Sequence, residues 1–524
     1  MKTKNRSRLA SNLSTASVPQ SQPLDSRQIK NSAGGYTYEV GCWDQLKRFL
    51  ITGVYGGTYY INEKKLTKTN VEALRKCLDT DANKYVSIVS DISLQGRAAK
   101  NDFAVFALAY ACVHSPESRK VALSQLNSVC RIGTHLFQFI EDFKSLGGGF
   151  GRSMRTAISS WYLSKTIDNL ANQMIKYRNR NGWTHKDVFR VSHIKSNDKS
   201  NLIRYVIKGY ESELEYPNAV RNFEALKTAT PDDAAKLISQ YDITKEYLPT
   251  NLHDNPLVME ELARKAPITF MIKNLGNMTS ILNWTPTCNA ESLSRTLSKL
   301  DDPESIKNGR VHPMLVLTAL KQYMFGSGKS YKWSPNAKII SGLNKAFKHS
   351  VKCSEPTKLR ILQAVDTSGS MHCMAGSNFE CFEAAAVMSW VNACVEPYVR
   401  TMDFNSKIHN DNVVLHENMD IISACRAFTG NGGTSLELPV TWALDNNEVF
   451  DLIIIYTDNE TWSGSRHLPS AWEEYRKKNP KAKLVIASTA ANQYSVGDPN
   501  DLSVLQVVGF DSSLLEIIKA WATS

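Results

Sequence analysis

Between residues 36 and 350, apolar positions recur every three or four residues, the spacing that keeps one stripe of an α-helix away from water. The stretches 105–113, 121–143, 157–175, 234–241, 257–275 and 314–324 carry this pattern, and short Gly, Pro and Asn breaks separate them. Strand signals are sparse there. Many helices with short connections predict antiparallel pairs stacked as an α-solenoid of the HEAT or armadillo kind, although no fixed period marks the repeats. Past Lys358 the rhythm changes: 359–365, 399–404, 450–456, 482–488 and 504–509 read as strands, and 379–395 and 513–521 as helices. That alternation predicts a doubly wound α/β domain with a mainly parallel sheet. Residues 1–35, rich in Ser, Asn, Gln, Lys and Arg with hardly any apolar pattern, are expected to form a flexible basic tail. The expected division is this tail, an all-α domain at 36–350 and an α/β domain at 358–524.

At 524 residues the chain is too long for one core, and its 42% apolar content is enough to fold. No apolar run approaches a membrane span, and the first thirty residues lack the apolar centre of a signal peptide, so a cytoplasmic protein is expected. The ten cysteines are scattered singly, without CxxC pairs or zinc-module spacing, which predicts free thiols, no disulfides and no zinc. Charge is uneven along the chain. Residues 1–350 carry 49 Lys and Arg against 30 Asp and Glu, whereas 351–524 carry 13 against 21. An excess of that size in one region predicts a polyanionic partner there; the alternative is basic side chains that merely coat helices.

The run Ala364-Val365-Asp366-Thr367-Ser368-Gly369-Ser370-Met371 ends an apolar strand in a polar loop. One carboxylate and two hydroxyls at alternate positions offer hard oxygen donors to Mg²⁺ or another divalent cation. They leave its charge under-neutralised and positions open for water or an outside acidic ligand. Thr434, in Gly432-Gly433-Thr434-Ser435, adds a third hydroxyl, and Asp458, in Tyr456-Thr457-Asp458-Asn459-Glu460, closes another strand. Asp366, Ser368, Ser370, Thr434 and Asp458 are therefore the candidate metal ligands. The set resembles the metal-ion-dependent adhesion site of a von Willebrand factor A domain.

Further segments carry a second resemblance: Arg48-Phe49-Leu50 leading to Gly56-Gly57-Thr58-Tyr59-Tyr60-Ile61, Gly151-Arg152 with Ala157-Ile158 and Trp161-Tyr162, and the stretches 177–195, 264–279, 456–462 and 508–511. In these the chain resembles the TROVE-domain family of Ro ribonucleoproteins over nearly its whole length. The resemblance implies a HEAT-like solenoid closed into a ring, with a von Willebrand factor A domain at the C-terminus. It also implies small non-coding Y-type RNAs on the outer ring surface and single-stranded 3′ ends of misfolded RNAs in the central hole.

Residues 147–195 hold nine Lys and Arg against two Asp. Ile158, Trp161, Ile167, Leu170 and Met174 fall at helical spacing and should face the core, leaving Lys165, Asn169, Asn172 and Lys176 outward. Asn181-Gly182 is expected to stop that helix. Thr184, with Asp187 three residues on, should cap a second helix that places Lys186, Arg190 and His193 on one face. Lys176 and Arg180 then meet this basic stripe, an arrangement suited to phosphates, and the resemblance implies RNA contacts at Lys176, Arg180 and His193. Arg152 and Arg178 complete the candidate RNA-binding set. Tyr177 and Trp183 could stack bases, although a core role for Trp183 is the better expectation.

Gly147-Gly148-Gly149-Phe150-Gly151-Arg152-Ser153 lacks the spacing of a phosphate-binding loop and is expected to connect helices. His372 and Cys373 are adjacent on the chain and point too far apart to share a proton, and no nucleophile, base and orienter set is evident, so no enzyme is expected. The leading expectation is a non-enzymatic RNA-binding protein. A metal-dependent protein-adhesion scaffold is the alternative, and a metal-dependent nuclease fits poorly because only two carboxylates attend the site. The expected partners are Y-like small non-coding RNA, misfolded RNA 3′ ends, an exoribonuclease joined through the RNA and an acidic protein ligand at the metal, with the protein itself a monomer.

Overall fold

The computed structural model describes residues 17–54, 63–98, 100–351, 356–372, 380–509 and 512–524. They group into two compact units, one from residues 77–350 and one from 17–76 with the residues from 351 onward.

The first unit is helical, apart from one two-stranded hairpin among its described residues. Each long apolar stretch expected at 121–143, 157–175 and 257–275 is divided. The first lies across Pro116–Ser124, Leu126–Val129 and Gly133–Ser145, the second across Arg152–Leu163 and Ile167–Lys176, and the third across Pro256–Lys265 and Ile268–Ile281. The breaks have local causes. Thr166 accepts a hydrogen bond from the Asn169 N–H and restarts one helix, and Pro267, which has no N–H to donate, stands before another. Apolar spacing continues across such breaks because both pieces face the same core. Consecutive helices pack in pairs, such as Pro231–Gln240 on Pro256–Lys265 and Pro313–Phe325 on Ala337–Ser350. His312 Nε2 lies 3.3 Å from the Arg97 carbonyl, so segments near the start and the end of this unit meet.

The second unit is built on a six-stranded sheet in the order Val504–Val508, Lys483–Ser488, Leu452–Thr457, Ile361–Asp366, Val399–Phe404, Ile408–Asn410. The first five are parallel and the last is an antiparallel edge strand that the hydrophobic pattern did not reveal. One face packs on the helix Cys381–Val395. The other buries Leu362, Phe404 and Ile453 against Val440, Trp472 and Tyr475 of the helices Leu438–Asp445 and Leu468–Lys478. The doubly wound architecture is as expected.

The N-terminal expectation is corrected. Residues 17–35 are ordered, with the strand Gln28–Lys30 antiparallel to Tyr36–Glu39, which pairs in turn with Tyr494–Ser495. Gln20 N–H donates to the Gly464 carbonyl at 3.3 Å, and buried Arg48 donates to the carbonyls of Asn492 at 3.1 Å and Tyr494 at 2.7 Å. The described residues of 17–76 therefore belong with the sheet, and the boundary expected at residue 36 is not one. Backbone ladders and polar contacts hold this segment, and neither leaves an apolar periodicity to read. Residues 1–16 and the motif at 56–61 lie outside the described residues.

Candidate functional site

The sheet brings three segments together at the C-terminal ends of its strands. Asp366 ends the strand Ile361–Asp366, and the segment beginning at Asp458 follows its neighbour Leu452–Thr457. Ser368 N–H donates to Asp366 Oδ1 at 2.9 Å, the Thr457 hydroxyl donates to Asp366 Oδ2 at 2.8 Å, and the hydroxyls of Ser368 and Ser370 are 3.2 Å apart. The third segment arrives through the Gly369 N–H, which donates to the Gly432 carbonyl at 3.0 Å, two residues before Thr434. The Thr434 carbonyl accepts from the Thr461 hydroxyl at 2.9 Å, tying the second and third segments to each other. A side chain at Gly433 is excluded because its Cβ would stand 2.6 Å from the Trp462 ring.

All five expected ligands are buried, each at most 1% exposed. Burial raises the carboxyl pKa values of both Asp366 and Asp458, and the charge of Asp366 raises Asp458 further while the Ser370 hydroxyl pulls it back. Glu460, missed as a site residue although it stands in the quoted segment, is pushed up to about 8, first by burial and then by Asp458. Asp458 Oδ1 accepts from the Glu460 N–H at 3.0 Å, whereas buried Asp458 Oδ2 has no hydrogen-bond partner. Two close carboxylates, one of them with an unpartnered oxygen, and three hydroxyls fit a hard divalent cation, whose charge would offset the repulsion. The described residues hold no group of three or more His, Cys, Asp or Glu arranged for a metal, and hydroxyls make up the majority of this donor set.

The basic block differs in construction. The helix Ile167–Lys176 ends at Tyr177, and Asn181-Gly182 turns a hairpin in which Asn179 pairs with Thr184 and Arg180 with Trp183. Both turn residues have positive φ, 52° and 76°, the two-residue turn that Asn-Gly favours, so the expected helix stop is corrected to a hairpin. Thr184 caps the helix His185–Ser192 reciprocally with Asp187, as expected. His193 lies beyond it in the left-handed conformation, φ 52°, so Lys186 and Arg190 share the helix and His193 stands at its end.

Arg152, Arg178, Arg180, Arg190 and His193 are exposed, and Lys176 and Lys186 are half-buried. Lys176 Nζ is 5.7 Å from the Tyr177 ring centre, and Arg178 donates to the Glu246 carbonyl at 2.9 Å while its guanidinium covers Phe223. Trp183 is a core residue whose Nε1 donates to Glu141 Oε2 at 2.8 Å. Two expectations fail here. Ile167 is exposed rather than in the core, and Lys165 turns inward, its Nζ donating to the Trp161 carbonyl at 2.8 Å, with burial pulling its pKa down to about 8. Arg152 lines two clefts of about 720 and 730 Å³ flanking its helix, with Arg155 in one and Arg119 and Lys120 in the other. Arg155 was legible three residues after Arg152; Arg119 and Lys120 come from a different helix. Gly147 to Gly151 connect two helices, as expected, while Cys373 lies outside the described residues.

Comparison with known proteins matches the TROVE domain to residues 29–240 and the Ro60 vWA domain to residues 360–522. The RNA-binding protein RO60 of Deinococcus radiodurans is 32% identical over 518 residues, covering 96% of this chain and 97% of its own. The RNA-binding protein RO60 of Caenorhabditis elegans is 29% identical over 591 residues, covering 96% and 91%. The crystal structure of the Deinococcus radiodurans RO (RSR) protein matches with a TM-score of 0.70 at 30% identity, covering 92% of this chain and 99% of that one.

Proposed function

Because the chain belongs to the TROVE-domain family of Ro60 RNA-binding proteins, we propose that it binds RNA, without catalysing a reaction on it, through the cationic surface of residues 152–195. The observation that carries this reading is how the cations are held. In this block the one ion pair among the described residues is Arg190 with Asp187, at a loose 3.9 Å. Later in the same unit Arg204 pairs with Glu211 at 2.5 Å, Lys227 with Glu224 at 2.6 Å, Arg295 with Glu291 at 2.5 Å and Lys345 with Asp301 at 2.6 Å. Cations supported by aromatic rings and carbonyls keep their charge for phosphates and release counterions on binding. Structured small RNAs of the Y type present phosphates across such a face, and single-stranded 3′ ends of misfolded RNAs add unstacked bases. The test is sequencing of RNA crosslinked to the purified protein. Enrichment of small structured RNAs with single-stranded 3′ ends is expected, and a preparation free of nucleic acid that binds none at low salt would overturn the reading.

The sheet unit is proposed to hold Mg²⁺ through Asp366, Ser368, Ser370, Thr434 and Asp458. The cation there would supply a coordination position for a carboxylate of an acidic protein ligand. The orphaned Asp458 Oδ2 is the observation that favours this second role.

A further inference from the structure

The helices Ile268–Ile281 and Pro313–Phe325 enclose, with the loop that follows the second, a cleft of about 650 Å³. It lies outside both matched family domains. Gly326, with φ 74°, ends the second helix, and the loop folds back so that the Trp333 N–H donates to the Gly326 carbonyl at 2.9 Å. Gly276 lets the Trp333 indole close one wall, since a Cβ there would stand 2.4 Å from the ring. The indole is anchored, its Nε1 donating to the Tyr323 carbonyl at 2.8 Å. Phe325 is not: it lines the same cleft and is 78% exposed, which leaves a flat apolar ring in water at appreciable cost. Lys273 and Lys329 also line the cleft and are exposed, and no lining residue is acidic. Asn277 adds an amide able to donate and accept.

A planar apolar surface beside uncompensated cations and an amide matches one ligand chemistry, a flat heteroaromatic ring carrying an anionic group. We propose that the cleft takes a nucleotide of single-stranded RNA, its base stacked on Phe325 and its flanking phosphates facing Lys273 and Lys329. The proposal rests on the RNA-binding reading of the family and adds a site separate from the 152–195 surface.

The test titrates the full chain with a short unstructured oligoribonucleotide and, separately, with a blunt-ended RNA hairpin. Phe325→Ala should weaken the single strand by about 5- to 100-fold and leave the hairpin unchanged. Phe325→Tyr, which keeps the stacking face, should restore the single strand, and Lys273→Ala with Lys329→Ala should flatten its salt dependence. Single-strand affinity unchanged in Phe325→Ala overturns the site. Equal loss for both RNAs, or failure of the tyrosine to restore binding, overturns it too. In these cases a wild type that binds the hairpin leaves the RNA reading standing; a wild type that binds neither RNA overturns both.

Discussion

On the helical unit, the side chains expected to meet a ligand stand largely in solvent: Arg152, Arg180, Arg190 and His193 are exposed, and Lys176 rests on an aromatic ring. In the sheet unit, Asp366, Ser368, Ser370, Thr434 and Asp458 are each at most 1% exposed and are fixed through backbone N–H groups and hydroxyls. The first arrangement gathers charge and tolerates loose geometry, because a phosphate chain can meet several cations in more than one way. The second assembles one geometry in advance and leaves one carboxylate oxygen unpartnered. Ionic strength should therefore act on the first site and divalent cation on the second.

Acid should separate the units most in stability. Burial pushes His135 and His185 of the helical unit down to about 4, from the ordinary 6.5. Below 6.5 the unfolded chain takes up protons that the folded unit refuses, so stability is full above that pH and is lost as pH falls toward 4. At pH 5 the cost is about 2 kcal/mol for each histidine. In the sheet unit buried His467 is lowered as well, but Glu437 is pushed up to about 7 by burial, which favours the folded unit in acid. Asp142 of the helical unit, pushed up to about 6 chiefly by burial, returns about 1 kcal/mol over the same range, so unfolding followed by hydrogen exchange at pH 7 and pH 5 should show the helical unit weakening by about 3 kcal/mol. Parallel weakening of both units would remove this contrast.

Salt is the next largest lever. If Lys176, Arg180, Lys186 and Arg190 neutralise four phosphates, raising salt from 50 to 200 mM should weaken RNA binding by about 50- to 150-fold. Affinity that holds across this range would mean that the exposed cations are a solvated face. A smaller effect is expected for Lys176→Ala with Arg180→Ala, on the order of 1 kcal/mol each, or about 30-fold together, with the salt slope reduced by about 2. An RNA titration of the folded double variant checks both numbers.

What the sequence disclosed follows from what leaves a periodic or spaced signal. The strand Leu452–Thr457 and the cap of Thr184 with Asp187 were legible because a short continuous apolar run and a three-residue offset are local. The loop after Asp366 was legible as a polar loop because hydroxyls at alternate positions follow a short apolar run. Glu460 was not assigned, since its place beside Asp458 depends on how a loop turns. Lys165 looked outward by spacing, yet its long stem allows the ammonium to reach back to the Trp161 carbonyl after the helix ends at Leu163. Asn181-Gly182 fits a helix stop and a hairpin turn equally well until the pairing of Arg180 with Trp183 is known. Residues 17–35 join the sheet unit through backbone pairing, which no side-chain pattern announces.

The division of labour between the units is tested most directly by Asp366→Ala, with thermal unfolding in EDTA and in Mg²⁺ beside an RNA titration at fixed salt. Wild type at a hundredfold excess of Mg²⁺ over its dissociation constant should gain about 2.7 kcal/mol in the sheet unit. The variant should lose that gain and bind RNA as wild type does. A variant that keeps the wild-type response to Mg²⁺ would contradict the metal assignment, and one that stays folded but loses RNA binding would contradict the separation of the two sites.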